Sequence, residues 1–211
     1  MNKICIGLDL EKNSSLFTYY NIINQTKSKA FCYKLNPAYF MENNVLFKKV
    51  VNYLNENNIK WIYDGKLGDV LHTNEYYAEY VYSYLKASGV TLNPYVGIES
   101  LMPFTKYKNK MNFLLCRTTN IGSDLLQKES YKKVYFMSKK LNSGLVVAGN
   151  KEDLIKDAIK NCKKQMILCP GIGAQGGKIN KEISKENIIY SISRSIINSK
   201  NPEKELEKYV S

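Results

Sequence analysis

Ile59-Lys60-Trp61-Ile62-Tyr63-Asp64-Gly65-Lys66 is an apolar run that ends abruptly in charge. Its first part, Ile59–Tyr63, is rich in β-branched and aromatic side chains and reads as a strand. The run is near-continuously apolar rather than alternating, the pattern of a parallel strand covered on both faces. Working outward, runs of the same kind recur at Ala30–Lys34 and Lys3–Leu8 upstream. Downstream they recur at Val90–Asn93, Asn112–Cys116, Gly144–Ala148, Met166–Cys169 and Asn187–Ser191. Amphipathic stretches between them, at Phe47–Asn55, Glu75–Ser88 and Lys151–Lys160, predict helices. Glu11–Lys29 and Lys178–Glu186 are enriched in Asn, Lys and Ser and read as mobile loops. Eight strands alternating with helices allow a parallel (β/α)8 barrel or a doubly wound sheet. The count of eight and a repeat of roughly 25–30 residues favour the barrel. No Gly-x-Gly-x-x-Gly turn follows the first strand, where a dinucleotide fold would carry it. The expected fold is therefore α/β, an eight-stranded parallel (β/α)8 TIM barrel, as one domain over residues 1–211.

Composition narrows the function classes. The chain has 211 residues, 44% hydrophobic and 24% charged, as in ordinary globular proteins. No apolar run approaches the roughly 18 residues of a membrane span, and strand-like sequence begins at once instead of a signal peptide. No membrane role and a cytoplasmic location are expected. Cys5, Cys32, Cys116, Cys162 and Cys169 are dispersed, which predicts reduced thiols. His72 is the only histidine, at a predicted helix start, and no metal-ligand cluster surrounds it. The net charge of +12 is almost entirely lysine spread over predicted helices. That reads as a solvated surface or a field steering an anionic small substrate inward, rather than a nucleic-acid face. Only Arg117 and Arg194 among 31 basic residues are arginines, whose planar fork suits phosphate and carboxylate.

In such a barrel the site lies at the C-terminal ends of the strands. Those ends carry Asp9, then Lys34 and Asn36, then Asp64-Gly65-Lys66-Leu67-Gly68-Asp69. They continue through Asn93-Pro94, Arg117-Thr118-Thr119-Asn120, Pro170–Gly177 and Ser193-Arg194-Ser195. In extended chain Asp64 and Lys66 share a face, so both can point to the barrel mouth. With Lys34 they alternate in sign, an array that keeps a lysine protonated as a general acid. The same spacing also suits a surface salt-bridge cluster. Gly171, Gly173, Gly176 and Gly177 allow backbone N–H groups to approach an anion, with Gln175 and Arg194 as further donors. A Gly-rich strand-to-helix turn would look alike.

Read in order, these segments resemble the orotidine 5′-phosphate decarboxylase family. Its D-x-K-x-x-D-[IV]-x-x-T signature reads Asp64-Gly65-Lys66-Leu67-Gly68-Asp69-Val70-Leu71-His72-Thr73. Gly7-Leu8-Asp9, Lys34, Asn93-Pro94-Tyr95 with Gly97, Arg117–Asn120, Pro170–Gly177 and Ser193–Ile196 match further family segments. His72, Thr119 and Ser193 depart from the residues common there.

The resemblance implies that Lys66 protonates C6 of the pyrimidine, with Asp64 against the substrate carboxylate and Lys34 completing the charge network. It implies that Asp9 holds the ribose, Thr119 reads the pyrimidine edge, and Gln175 with Arg194 binds the 5′-phosphate. Asn120, Pro170, Gly176 and Ser193 join the substrate-binding set. Asp69, Val70 and Thr73 would reach the partner subunit's site in a homodimer with shared active sites. No metal and no organic cofactor are implied, and the expected partner is a small nucleotide substrate. Two rivals remain. One is a magnesium-dependent sugar-phosphate barrel, a ketogulonate-phosphate decarboxylase or hexulose-phosphate synthase, with the same D-x-K-x-x-D core. The other is a basic nucleic-acid-binding barrel, which would need aromatics interleaved with clustered cations.

Overall fold

The structure, a computed structural model, describes residues 1–173, 176–180, 183 and 187–210. Eight parallel strands close into a barrel in sequence order: β1 (Lys3–Gly7), β2 (Cys32–Leu35), β3 (Trp61–Leu67), β4 (Gly89–Leu92), β5 (Met111–Arg117), β6 (Gly144–Val147), β7 (Ile167–Pro170) and β8 (Ile188–Ile192). Closure is made by β1 on β8, with Cys5 beside Ser191 and Ile6 beside Ile192. The expected eight-stranded barrel is present, each strand within a few residues of its sequence reading.

Helices cover the outside: α1 (Leu16–Thr26), α2 (Asn44–Glu56), α3 (Leu71–Glu79), α4 (Ile98–Thr105), α5 (Asp124–Lys140) and α6 (Glu152–Asn161), then α7 (Arg194–Ile197) and α8 (Pro202–Val210) after β8. Between β7 and β8 there is no helix among the described residues. Helix α2 shows why the outer layer forms. Phe47, Val50, Val51 and Leu54 fall at i, i+3, i+4 and i+7 and are all buried. The Asn43 side chain accepts from Leu46 N at 2.9 Å and starts the helix.

Two sequence expectations are corrected. The stretch Glu11–Lys29 is not a loop throughout. Helix α1 occupies its centre, capped by Ser15, and buries Tyr19, Ile22, Ile23 and Thr26 at the same helical spacing. Its other polar residues lie on the more exposed positions and mask that stripe in the composition. Nor is Glu75–Ser88 one regular helix. Helix α3 ends at Glu79 and passes into a π-helical turn over Tyr80–Tyr84, where Leu85 N donates to Tyr80 O at 2.9 Å. Of Lys178–Glu186, only 178–180 and 183 lie within the described residues.

The barrel interior is a separate plug. Cys5, Cys32, Ile62, Phe113, Val146, Leu168 and Ile189 form one buried cluster, one residue from each of seven strands and none from a helix. Phe113, the largest of these side chains, fits there because β6 offers Gly144 beside it. A Cβ on Gly144 would lie 2.7 Å from the Phe113 ring and 2.6 Å from Met166 O. All five cysteines are buried free thiols.

Because the plug is apolar and fully buried, Phe113→Ala should lower unfolding free energy by about 3–5 kcal/mol. Urea unfolding measures this through a lower midpoint at unchanged slope. A loss under about 1 kcal/mol would contradict a packed interior centred on this ring.

Candidate active site at the barrel mouth

The site is the next layer up from that plug. Successive strand residues face opposite sides of the sheet, so Lys34 follows Cys32 inward, Asp64 follows Ile62 and Ser191 follows Ile189. A polar ring thereby sits directly on an apolar one. Near its top β3 departs from regular pairing: Tyr63 pairs with Val90 but Leu67 with Leu92, so the segment between them bulges. Within the bulge Lys66 takes φ +49°, a left-handed conformation unusual for a lysine. Its N–H donates to Thr91 Oγ1 at 3.0 Å.

The bulge wraps three donors around one carboxylate. Asp64 Oδ1 accepts from Lys66 Nζ at 2.9 Å and from Thr91 Oγ1 at 2.8 Å. Asp64 Oδ2 accepts from Lys34 Nζ at 2.5 Å, and Lys34 Nζ is also 4.0 Å from Asp9 Oδ1. The Asp64 side chain is 8% exposed and that of Lys66 45%. Burial pulls the Asp64 carboxyl upward, but the two lysine charges and their hydrogen bonds outweigh it and hold it well below the usual carboxylate range. For Lys34, burial works against the charge, and the Asp64 and Asp9 carboxylates overcome it and raise the ammonium above its ordinary value. Both groups are charged at neutral pH.

Beside this array lies a cleft of about 340 Å³. Of the residues singled out in the sequence, Asp9, Lys34, Thr119, Pro170, Ser193 and Arg194 line it. Asp9 Oδ1 is buried there with no hydrogen-bond partner. Gly171 and Ile172, both in the Pro170–Gly177 strand end, also line the wall; the strand-end reading missed Tyr39 and Ser191 there, and Thr91 behind Asp64. Thr91 and Ser191 had one signal, a polar residue on the inward register of an apolar strand.

Other expected residues lie elsewhere. Asp69, Val70 and Thr73 do not line the cleft of their own chain. Asp69 Oδ1 accepts from Val70 N at 2.7 Å, and buried Asn74 donates to Asp69 O at 2.7 Å, fixing the turn into α3. Val70 is 65% exposed. Asn120 is exposed, and its Oδ1 accepts from Thr118 Oγ1 at 2.6 Å. Gln175 lies outside the described residues. His72 is exposed on α3, its ring edge-on to Tyr76.

The glycine loop is built differently from the sequence expectation. Gly173 N donates to Gly177 O, Gly176 N to Gly173 O and Gly177 N to Gly171 O. These amides are used within the loop rather than offered to an anion. Gly171 and Gly173 have φ of +91° and +79°, and a Cβ on Gly177 would meet Gly171 O at 2.5 Å. Close turning and backbone contact require glycine there.

Arg117, the second arginine, is not in the cleft. It is buried beneath Tyr131 and paired with Asp124. Among the described residues no cluster of three His, Cys, Asp or Glu side chains is placed to hold a metal ion. No helix among them is long and apolar enough to cross a membrane.

A parallel barrel whose mouth joins a Lys–Asp–Lys array to an arginine-edged cleft has the layout of a barrel enzyme for an anionic substrate. Comparison with known proteins makes this specific. Residues 2–209 match the model of the "Orotidine 5′-phosphate decarboxylase / HUMPS family", and the chain belongs to that family. It is 33% identical to an orotidine 5′-phosphate decarboxylase of Flavobacterium johnsoniae, covering 84% of this chain and 75% of that one. It is 31% identical to the Cellvibrio japonicus enzyme of the same name, covering 94% and 85%. The solved Leishmania donovani UMP synthase superposes with a TM-score of 0.88 at 27% identity, over 98% of this chain and 52% of that one. The present chain thus spans about half of that synthase.

The charge array makes a pH-dependent contribution to stability. The depressed Asp64 contributes fully above its unfolded value of about 3.9, and the raised Lys34 fully below its unfolded value of about 10.4. Asp64→Asn leaves Lys34 buried without its main partner and should cost about 3–5 kcal/mol. Measured by urea unfolding, the gap between wild type and variant should be flat from about pH 5 to 7 and narrow at alkaline pH, where the unpaired Lys34 of the variant loses its proton. It should narrow as pH falls below about 4, toward the depressed folded value. A gap that already shrinks between pH 7 and 5 would mean that Asp64 is not held ionised.

Proposed function

We propose that this chain converts orotidine 5′-phosphate to uridine 5′-phosphate and carbon dioxide without a metal or organic cofactor. The observation that carries the reading is the Lys34–Asp64–Lys66 array, charged and adjoining the cleft. In the proposed step the bond from C6 to the carboxylate carbon breaks and its electron pair stays on C6. The Lys66 ammonium delivers the proton that C6 requires, acting as general acid. Lys66 suits this role because it is the more exposed of the two lysines and is held by one contact to Asp64. Asp64 lies against the substrate carboxylate, and Lys34 neutralises it from behind. The Asp9 oxygen that lacks a hydrogen-bond partner accepts from ribose hydroxyls, Thr119 meets the pyrimidine edge, and Arg194 takes the phosphate. Gln175 and Gly176 belong to the same proposed phosphate loop, with Pro170 and Ser193 in its wall and Asn120 near the base.

The metal-dependent rival of the same barrel family is disfavoured by charge. Both Asp64 oxygens already accept from ammonium groups, an arrangement that repels a divalent cation rather than recruiting one. We also propose a homodimer in which Asp69, Val70 and Thr73 complete the partner's site. Supporting it, these residues lie outside their own cleft, and Val70 and Leu71 are exposed apolar side chains. A cytoplasmic location fits the five reduced thiols.

Purified protein should deplete orotidine 5′-phosphate absorbance undiminished by excess chelator. Activity that vanishes and returns with magnesium would favour the rival. Lys66→Ala should lower kcat by at least about a thousandfold while uridine 5′-phosphate still binds, because the lysine acts in the transition state. A variant that keeps a tenth of the rate would require another proton donor.

The shared site is tested by mixing Lys66→Ala with Asp69→Ala, each inactive alone. In a mixed dimer one site collects both lesions and the other neither. Equal mixing with subunit exchange should restore about a quarter of wild-type activity. No recovery between folded, exchanging variants would mean that each site is built from one chain.

A further inference from the structure

We infer that Gln127 is a positioning residue for base recognition, a side-chain clamp that sets Thr119 against the cleft. The inference rests on the proposed reading that Thr119 meets the pyrimidine. Thr119 stands at the cleft wall on the segment that joins β5 to α5. A single 3-10 turn at Ile121–Ser123, closed by Ser123 N donating to Asn120 O at 3.1 Å, shapes its far end, and the stretch 118–120 before it is held by side chains.

The ends of the segment are tied by charge. Buried Arg117, the last residue of β5, pairs with Asp124, the first of α5. Lys151 joins the same carboxylate from the start of α6 at 3.3 Å. This closes the loop over residues 118–123 but does not set the middle. Gln127, one turn into α5, does so. Its Oε1 accepts from Thr118 N at 2.8 Å and its Nε2 donates to Thr118 Oγ1 at 2.9 Å. The Thr118 hydroxyl in turn donates to Asn120 Oδ1 at 2.6 Å. The residues on both sides of Thr119 are thereby held through one amide. An amide suits this task, since it offers the acceptor that the backbone N–H needs and the donor that the hydroxyl oxygen needs.

A clamp of this kind acts on the base and not on the phosphate, because Arg194 reaches the cleft from the end of β8, on the far side of the barrel order. Loss of the clamp should therefore change the preference for a nucleotide over its sugar phosphate. The test compares wild type, Gln127→Ala and Gln127→Glu by titration calorimetry with uridine 5′-phosphate and with ribose 5-phosphate. Urea midpoints check that each variant is folded. Gln127→Ala should weaken uridine 5′-phosphate binding about tenfold, the scale of one or two lost hydrogen bonds, with ribose 5-phosphate binding unchanged. Gln127→Glu keeps the acceptor for Thr118 N and should recover part of the loss. Equal losses for both ligands, or no loss in a folded variant, would overturn the clamp. If wild type itself does not prefer the nucleotide, the base reading fails instead. Amide exchange at Thr118–Gly122 then decides on the clamp alone: faster exchange in Gln127→Ala supports it, and unchanged exchange overturns it.

Discussion

The mouth of this barrel depends on one buried carboxylate. Asp64 is removed from water at the top of the interior, and taking an ion out of water costs several kcal/mol unless its lone pairs are met. They are met by Lys34, Lys66 and Thr91. Supplying three donors to one carboxylate dictates the geometry around it. Strand β3 bulges, Lys66 adopts a left-handed backbone that costs roughly 1–3 kcal/mol, and Thr91 links the Lys66 amide to Asp64 through one hydroxyl. A hydrophobic layer of equal volume would serve stability as well or better. The array is therefore understood through the chemistry proposed for it, with strain stored at the residue proposed to move the proton.

The same layer explains how the charged groups are held in place. Lys34, Asp64 and Ser191 each stand two residues above a member of the interior plug. Their backbones are set by pairing on both sides, and their stems rest on close-packed side chains. Phe113 and the glycine opposite it thus act on the chemistry at one remove, by fixing the floor on which the charges stand.

Much of this was legible in the sequence, and the parts that were not share a physical cause. Continuous apolar runs that end in charge located the strands and the mouth, because burial on both faces leaves no other pattern. Helix α1 stayed hidden because four buried positions are diluted by polar neighbours at more exposed positions. The Asp64–Lys66 spacing was read as two residues sharing a face of a regular strand. The contact exists, but it is made through a bulge that only the pairing with β4 shows. The glycine spacing suggests an anion cradle, whereas the amides of Gly173, Gly176 and Gly177 donate to carbonyls of the loop itself. Glycine spacing reports close backbone approach without naming the group approached. Thr91 passed unnoticed because threonine is ordinary in strands.

The two arginines show how one preference for a planar, permanently charged fork serves two tasks. A lysine at the position of Arg117, buried under Tyr131, could shed its proton to escape desolvation, which would release Asp124 and the loop tied there. Arginine cannot do so at any physiological pH. Arg194 instead is exposed at the cleft edge, where the fork is open to solvent and suits the oxyanion proposed as its partner. The surrounding lysines, dispersed and mostly solvated, add a field without a geometry. In a chain of net charge +12, the directional recognition proposed here is assigned to the residue type that the sequence uses least among its cations.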